Sequence, residues 1–257
     1  PGADVGRLRR WAWVYPISRY EPNHVSQQSI VVVSKVRERI YAESAARLLD
    51  VNWQLVEIPE PLDFKVQTDH EEFGLEVRQV FTDGEATFGS PLKRAEAENQ
   101  KRVRSVAAQY YSQGGPPVSV KFLGNLASTE TGALVERMKC EAPTSPFALH
   151  TFSIGMVKVF LTALPKDLGD YHRWQCVDDR VGWVREVTNE DLQRAVDRKR
   201  TNLPLSREKF FVVDLLLVAD RTMNSGRMRS TSALSVQNLG FRAVYFLSYP
   251  ESATRVG

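Results

Sequence analysis

Charged and apolar side chains alternate along two short segments, residues 62 to 67 and 73 to 78. The charged positions are Asp63, Lys65, Glu76 and Arg78. Because successive side chains of a β-strand point to opposite faces of a sheet, the alternation predicts a hairpin with one apolar and one charged face.

The length of the turn decides which charged residues face each other. A two-residue loop places Asp63 opposite Glu76, whereas a four-residue loop at positions 69 to 72 places Lys65 opposite Glu76. Either register brings two carboxylates and two cations within the distance of cross-strand neighbours. A slip by one residue would bury the charges, so the apolar pattern fixes which face they share.

Two converging carboxylates provide the oxygen ligands that Mg²⁺ or Mn²⁺ requires. Such an ion activates water and neutralises the charge that develops on a phosphodiester during hydrolysis. The alternative interpretation is a solvated hairpin face whose charges form cross-strand ion pairs.

The neighbouring segments predict a helix, three strands, a helix and a strand. In chain order, these elements span residues 29–49, 52–58, 62–67, 73–81, 90–112 and 118–123. An aromatic strand is expected before them, at residues 10 to 17. The elements expected after them are a helix at 131–140, a strand at 157–164, a meander through 171–187, a helix at 189–199, a buried strand at 211–219, a mobile loop at 224–226, a short helix at 231–239 and a strand at 242–247.

Charged residues also lie on the predicted helices. Glu43 is in line with the apolar positions Val36 and Ile40, so it either forms an ion pair with Arg47 or points toward the carboxylate pair. Lys199 lies on the apolar stripe of a later helix, where a lysine can pack its aliphatic stem and extend its charge to water.

Four cations gather on one side of the helix predicted at residues 90 to 112. They are Lys93, Arg94, Lys101 and Arg104. This face fits contact with a nucleic-acid backbone, or it is the solvated face of an amphipathic helix.

These residues resemble the PD-(D/E)XK superfamily of restriction-endonuclease-like nucleases. The motif matches at Pro61-Leu62-Asp63, with one residue inserted, and at Glu76-Val77-Arg78; the family's element order matches residues 29 to 123. The resemblance implies that Asp63 and Glu76 hold Mg²⁺ or Mn²⁺, that Glu43 from the first helix completes the metal shell, and that the substrate is DNA. Arg78 stands where the family has lysine and cannot act as a base. We therefore expect Arg78 or Lys65 to stabilise the transition state.

Composition places the chain among ordinary globular proteins. It has 257 residues, a formal charge of +3 and two cysteines, which argues against a disulfide scaffold or a cysteine zinc site. Neither a GxSxG nor a GxxxxGK motif occurs, so serine hydrolase and P-loop chemistry are not expected.

We predict one cytoplasmic α/β domain, residues 1 to 257, with a restriction-endonuclease-like core at about 29–123 in a mixed sheet and an α/β extension at about 125–257. The expected function is a metal-dependent deoxyribonuclease. The alternatives are a degenerate nuclease fold that binds nucleic acid or a protein partner, and an unrelated α/β enzyme. A homo-oligomer is also compatible with the sequence, and no membrane segment is expected.

Overall fold

The computed structural model describes residues 27–84, 89–168, 173–177, 184–230 and 233–257. The aromatic strand expected at residues 10 to 17 lies outside these ranges. The helices are α1 (Gln27–Leu48), α2 (Pro91–Ser112), α3 (Thr131–Cys140), α4 (Asn189–Arg200) and α5 (Leu203–Arg207). The strands are β1 (Gln54–Glu57), β2 (Phe64–Gln67), β3 (Glu72–Gln79), β4 (Val118–Leu123), β5 (Leu149–Ile154), β6 (Val157–Ala163), β7 (Trp174–Val177), β8 (Arg185–Glu186), β9 (Val213–Asp220), β10 (Met228–Arg229), β11 (Val244–Tyr249) and β12 (Ser252–Arg255).

A mixed six-stranded sheet, in the order β1-β2-β3-β9-β11-β12, confirms the expected α/β class. Strands β3, β9 and β11 are parallel to one another, whereas the strands outside them pair in antiparallel fashion. All eight residues of β9 are buried. Such a run suits a central strand that is covered on both faces.

Helices cover both faces of this sheet. Tyr41, Ala42 and Ala45 of α1 pack on one face. Leu192 and Val196 of α4 pack on the other face, where α5 also contributes to the core. Small residues on α1 allow the helix to approach the strands closely, and burial of these apolar surfaces stabilises the layered arrangement.

A second sheet has four strands in the order β5-β6-β4-β7. Helices α2 and α3 pack on one of its faces through residues such as Val106 and Leu134. Ser90 begins α2 as predicted: its side chain accepts a hydrogen bond from the backbone N of Lys93 at 3.0 Å, and Pro91 follows it. A pair of short parallel strands, β8 and β10, forms a separate ladder.

The predicted order of helix, three strands, helix and strand is correct along residues 27 to 123, but its last two members do not belong to the six-stranded sheet. Strand β4 lies in the second sheet and helix α2 packs on that sheet, whereas the strand beside β3 is β9. The burial of β4 gives the reason. Its residues alternate between buried and more accessible positions, so it fits a sheet with one open face, whereas β9 is apolar enough to lie between two helical layers.

Two further predictions are wrong. Residues 233 to 239 form no regular helix. The segment from Asn224 to Gly226, expected to be a mobile loop, is a short 3₁₀ turn in which Ser225 is 1% exposed. Glu96 of α2 accepts hydrogen bonds from the backbone N and Oγ of Ser225, at 3.0 and 2.6 Å, which fixes this turn against α2.

Within the described residues, no helix combines the length and the hydrophobicity needed to cross a membrane.

Candidate functional site

The hairpin brings the two predicted carboxylates to the same end of its ladder. The antiparallel ladder between β2 and β3 ends where Phe64 pairs with Leu75, so Asp63 directly precedes the ladder and Glu76 directly follows Leu75 on β3. The register breaks at this point: Leu75, the partner of Phe64, also accepts a hydrogen bond from the backbone N of Asp63 at 3.3 Å, so Asp63 and Phe64 both face Leu75, as in a β-bulge. At the other end of the ladder, Gln67 pairs with Glu72, and the backbone N of Thr68 donates to the carbonyl of Glu71 at 2.9 Å. The hydrogen bonds therefore close on a loop of two residues, Asp69 and His70, which is the shorter of the two loops considered in the sequence analysis.

Asp63 is fixed by two groups, a backbone amide and a lysine. Its Oδ2 accepts a hydrogen bond from the backbone N of Val77 at 2.8 Å, and its Oδ1 accepts one from Lys35 Nζ at 2.5 Å. Lys35 Nζ also lies 3.4 Å from Glu38 Oε2. The side chain of Asp63 therefore stays buried at 8% exposure because a backbone amide and a lysine compensate its lost hydration.

Glu76 is also 8% exposed, and it contacts Lys199 Nζ from α4. Burial and the negative charge of Asp63 raise the pKa of Glu76 to about 7, although the charge and hydrogen bond of Lys199 act in the opposite direction. Two acidic groups that repel each other in a shielded location are a common feature of sites that bind metal or transfer protons.

The pKa of Lys35 is also shifted, but here burial and the neighbouring charges act in the reverse directions. Burial alone would lower the pKa of Lys35, but the hydrogen bond to Asp63 and the nearby negative charges outweigh it, so its pKa is raised. The ammonium group therefore remains charged at neutral pH. Each of the two carboxylates is thus paired with a lysine from a different helix, one on each face of the sheet.

Helix α1 is held in position by a hydrogen-bonded chain at the carboxyl ends of the parallel strands. Tyr41 Oη donates to Asp220 Oδ2 at 2.6 Å and accepts from Gln79 Nε2 at 2.8 Å. Burial, reinforced by the charge of Asp220, raises the pKa of Tyr41. The chain connects α1 to β3 and β9 and so fixes the helix that supplies Lys35 and Glu38.

The structure does not bring Glu43 to this cluster. Its side chain is 58% exposed and lies 3.7 Å from Arg39, not beside Arg47. The assumed apolar stripe was wrong because Val36 is 53% exposed, and the buried face of α1 is instead formed by Tyr41, Ala42, Ala45 and Ala46. Glu38 precedes Tyr41 by three positions and lies on that face.

The two cations proposed to assist the carboxylates occupy different positions. Lys65 pairs in register with Gly74, and its Nζ lies 3.1 Å from Glu72 Oε2, so it does not face Glu76. Arg78 lies two residues after Glu76 on β3, half-buried beside Leu217 of β9.

Three of the four cations expected on the outer side of α2 are exposed. They are Arg94, Lys101 and Arg104. Lys93 is instead half-buried, and burial together with the charge of Arg37 lowers its pKa. The negative charges of Glu96 and Asp220 oppose that shift, which places Lys93 on the side of α2 that faces β9.

Sequence analysis missed two residues of this cluster, Lys35 and Glu38, and it assigned Lys199 only a packing role. The available signal was the group of small residues on α1, which marks the face packed most closely on the sheet. Residues three, four or seven positions before Ala42 and Ala45 share that face.

Across the described ranges, no three His, Cys, Asp or Glu side chains are gathered closely enough to form a ready-made metal site. Two neighbouring buried carboxylates with Glu38 nearby are nevertheless oxygen ligands of the kind that a hard divalent ion takes, with water completing its coordination. Neither Cys140 nor Cys176 belongs to this cluster.

No protein-family model, curated protein or solved structure matches this chain.

Proposed function

We propose that this protein is a divalent-metal-dependent nuclease that hydrolyses phosphodiester bonds of DNA, with Asp63 and Glu76 as the metal ligands. The observation that carries the proposal is the pair of buried carboxylates at one end of the β2–β3 ladder, close enough for the charge of Asp63 to raise the pKa of Glu76, with one lysine beside each. Charged groups are expensive to bury. A site that brings two buried carboxylates together with two lysines therefore supports a chemical role.

The arrangement of the six-stranded sheet supports a restriction-endonuclease-like core. When only elements of this sheet and its long helices are followed, the chain passes through α1, β1, β2, β3, α4 and β9, with the short helix α5 between α4 and β9. This is the order of helix, three strands, helix and strand that characterises the superfamily. The segment between β3 and α4, which contains the second sheet, is then an insertion into that core.

The lysines on the helices compensate for Arg78 at the motif position. Lys199 reaches Glu76 from α4, so it supplies the ammonium group that the motif lysine would provide. A bound Mg²⁺ or Mn²⁺ would supply an activated water and neutralise charge on the phosphate. Lys199 and Lys35 would release their carboxylates to the ion and turn their charges toward the pentavalent phosphate, as positioned cations do in phosphoryl chemistry.

The raised pKa of Glu76 gives this residue a specific role. With a pKa of about 7, its carboxyl group is partly protonated near neutral pH when no ion is present. Asp63, anchored by the amide of Val77 and by Lys35, remains in a fixed orientation and determines where an ion can settle. The pair thus combines a rigid ligand with one whose charge depends on its surroundings.

A second function is favoured by the same lysines. Because each carboxylate already has an ammonium partner, the cluster is also consistent with a degenerate nuclease fold that binds nucleic acid without cutting it. The exposed cations of α2 would then contact phosphates in either case.

The test is cleavage of plasmid DNA, single-stranded DNA and RNA in Mg²⁺ or Mn²⁺, at several pH values. Asp63→Ala and Glu76→Gln should each reduce the rate by about 10³-fold or more, a barrier increase of roughly 4 kcal/mol. We expect Lys199→Met to lose about 10²-fold because it removes one stabilising charge. Glu38→Gln should be slower than wild type.

Two matched carboxylates serve as controls. Glu43→Gln removes an exposed acid from the same helix as Glu38, and Glu72→Gln removes an acid from the same strand as Glu76. Both should retain wild-type rates. If the wild-type protein and Arg78→Lys are inert on every substrate with both metals, the nuclease proposal is wrong. Cleavage by Arg78→Lys alone would instead identify a degenerate site.

A further inference from the structure

Among the described residues, no helix or strand covers one face of the second sheet, which we call the open face. Helices α2 and α3 cover the side on which Val120, Phe122 and Val159 are buried. The opposite side chains of the same strands are exposed or half-buried. Residues on this face are Ser119, Lys121 and Leu123 of β4, Leu149, Thr151 and Ser153 of β5, and Lys158, Phe160 and Thr162 of β6.

The centre of this face carries an aromatic ring between polar neighbours. In the register, Phe160 pairs with Lys121 on one side and with Thr151 on the other. One step along β6, Lys158 pairs with Leu123 and Ser153. The Nζ atom of Lys158 lies 5.3 Å from the centroid of the Phe160 ring, so two cations and an aromatic ring are clustered on adjacent strands.

The charges on this face have one sign. The four strands β4, β5, β6 and β7 contain no aspartate or glutamate, whereas the whole chain has 31 acidic residues among 257. Lys121 and Lys158 are both exposed. An open sheet face with lysines and hydroxyl groups but no acid is complementary to a polyanion.

From these observations we propose that the open face formed by Lys121, Phe160, Thr151 and Lys158 binds single-stranded nucleic acid. The ring of Phe160 would stack on an unpaired base, the two lysines would contact flanking phosphates, and the hydroxyl groups would bond to sugar or base edges. In a duplex, bases are stacked on each other and cannot reach a ring lying on a sheet. An acidic peptide would satisfy the lysines but would leave Phe160 without a stacking partner.

This inference does not depend on the proposed hydrolysis at Asp63 and Glu76, because binding can be measured without metal. It adds a means of holding one strand on an element separate from the carboxylate site. The experiment is fluorescence anisotropy of labelled 12-nucleotide oligo(dT) and oligo(U) with the full chain in EDTA, over a series of salt concentrations. A duplex of equal length is titrated in parallel.

We expect the wild-type protein to bind the single strands more tightly than the duplex. Phe160→Ala should weaken single-strand binding by about tenfold or more, with little effect on the salt dependence. Lys121→Gln combined with Lys158→Gln should weaken binding and lower the log–log salt slope by about 0.7 for each lost phosphate contact. The relative affinities for oligo(dT) and oligo(U) show which of these two strands the face prefers.

Controls of matched chemistry lie elsewhere on the protein. Phe211 is 92% exposed and precedes β9 in the other sheet, so Phe211→Ala removes an aromatic ring without altering the open face. Lys139 lies on α3, the helix on the opposite side of the second sheet, and Lys139→Gln removes one positive charge there. Both variants should bind as wild type does. Circular dichroism and thermal unfolding verify that each variant is folded.

Three results would overturn the proposal. The first is wild-type protein that does not bind either oligonucleotide. The second is unchanged binding by folded Phe160→Ala and by the folded double lysine variant. The third is competition by poly-glutamate as effective as that by unlabelled oligo(dT), which would identify the face as a surface for acidic proteins. Loss of cleavage with intact oligonucleotide binding, or the reverse, separates this proposal from the proposed nuclease activity.

Discussion

The two sheets of this protein handle electric charge in opposite ways. The six-stranded sheet buries four carboxylates, Asp63, Glu76, Asp214 and Asp220, each with a hydrogen-bond donor or a cation beside it. The four-stranded sheet keeps its strand lysines exposed on one face. Burial fixes the geometry of a charged group and raises the pKa of Glu76 and Asp214, whereas exposed charges keep their hydration and respond to salt.

This difference indicates a division of roles. A reacting group needs a defined position and a tuned protonation state, and only the larger sheet provides both. Reversible binding of a flexible polymer requires accessible charge and an accessible ring, which the smaller sheet provides. If the division is real, substitutions of charged residues in the two sheets should have very different consequences.

The largest expected effect on stability is at the pair of Asp214 and Arg242. Asp214 is fully buried and accepts hydrogen bonds from Arg242 at 2.9 and 2.6 Å. Burial raises the pKa of Asp214 even though Arg242 opposes the shift. Arg242→Ala leaves this carboxylate without its cation and should lower the free energy of unfolding by about 3 kcal/mol. Urea denaturation measures the change.

The reference for this substitution is Arg255→Ala, which removes an exposed arginine from β12 of the same sheet and should change stability by less than about 0.5 kcal/mol. Adding Asp214→Asn to Arg242→Ala should recover part of the loss because the neutral amide no longer needs a cation. A loss below 1 kcal/mol in Arg242→Ala would contradict the view that this sheet depends on paired buried charge.

A medium effect is expected in the pH dependence of metal binding. Below a pH of about 7, a proton on Glu76 competes with a cation for the same oxygens. The affinity for Mn²⁺, measured by isothermal titration calorimetry, should therefore rise by about tenfold per pH unit up to that point and then level off. Glu76→Gln should bind Mn²⁺ weakly at every pH, and Glu43→Gln should follow the wild-type curve.

The metal-free protein offers a second readout of the same group. Because the pKa of Glu76 is raised from its ordinary value of 4.5 to about 7 on folding, the folded state retains a proton that the unfolded state has lost between these values. The contribution of Glu76 to stability is then complete below pH 4.5 and is lost as the pH rises through about 7. Glu76→Gln should flatten this part of the curve. A curve of unchanged shape would show that Glu76 does not titrate there.

The smallest expected effect is at Lys121. Because its charge is already in water, Lys121→Gln should change the free energy of unfolding by less than about 0.5 kcal/mol. The measurement is the same urea denaturation used for Arg242→Ala. A large loss of stability would mean that this lysine has a structural role, and the contrast between the two sheets would not hold.

The local features of the fold were predictable from the sequence because they depend on neighbouring residues. The helix at Thr131–Cys140 and the start of α2 after Ser90 follow from periodicity and capping. The hairpin itself was predictable from the alternation of apolar and charged residues, but Asp63 precedes β2, so strand alternation does not decide where its side chain points.

The errors arose where distant parts of the chain compete for the same place. The sequence order predicts β4 as the strand that follows the hairpin, although β9 is the strand that pairs with β3 in the six-stranded sheet. The partner of β3 is decided by which candidate can be buried on both faces. In the same way, the positions of Val36 and Glu43 on α1 were assigned from a four-residue periodicity, although the alanines pack most closely against the sheet.

Lys199 shows which feature of the candidate site could not be predicted from the sequence. Its position on the apolar stripe of α4 was recognised, but its partner Glu76 is 123 positions earlier in the chain. Only the packing of α4 against the sheet determines which carboxylate that ammonium group meets.

The separation of β3 from β9 also affects how the protein is made. About 130 residues lie between these adjacent parallel strands. A ribosome adding about 5 to 20 residues per second needs roughly 7 to 25 seconds to produce β9 after β3 has emerged. During this interval β3 has an unpaired edge with buried-type residues such as Leu75 and Val77, which is the kind of surface that other chains can capture. Cells that overproduce this protein should therefore accumulate aggregates through the nascent hairpin, and slower initiation or a chaperone that covers strand edges should increase the yield of folded protein.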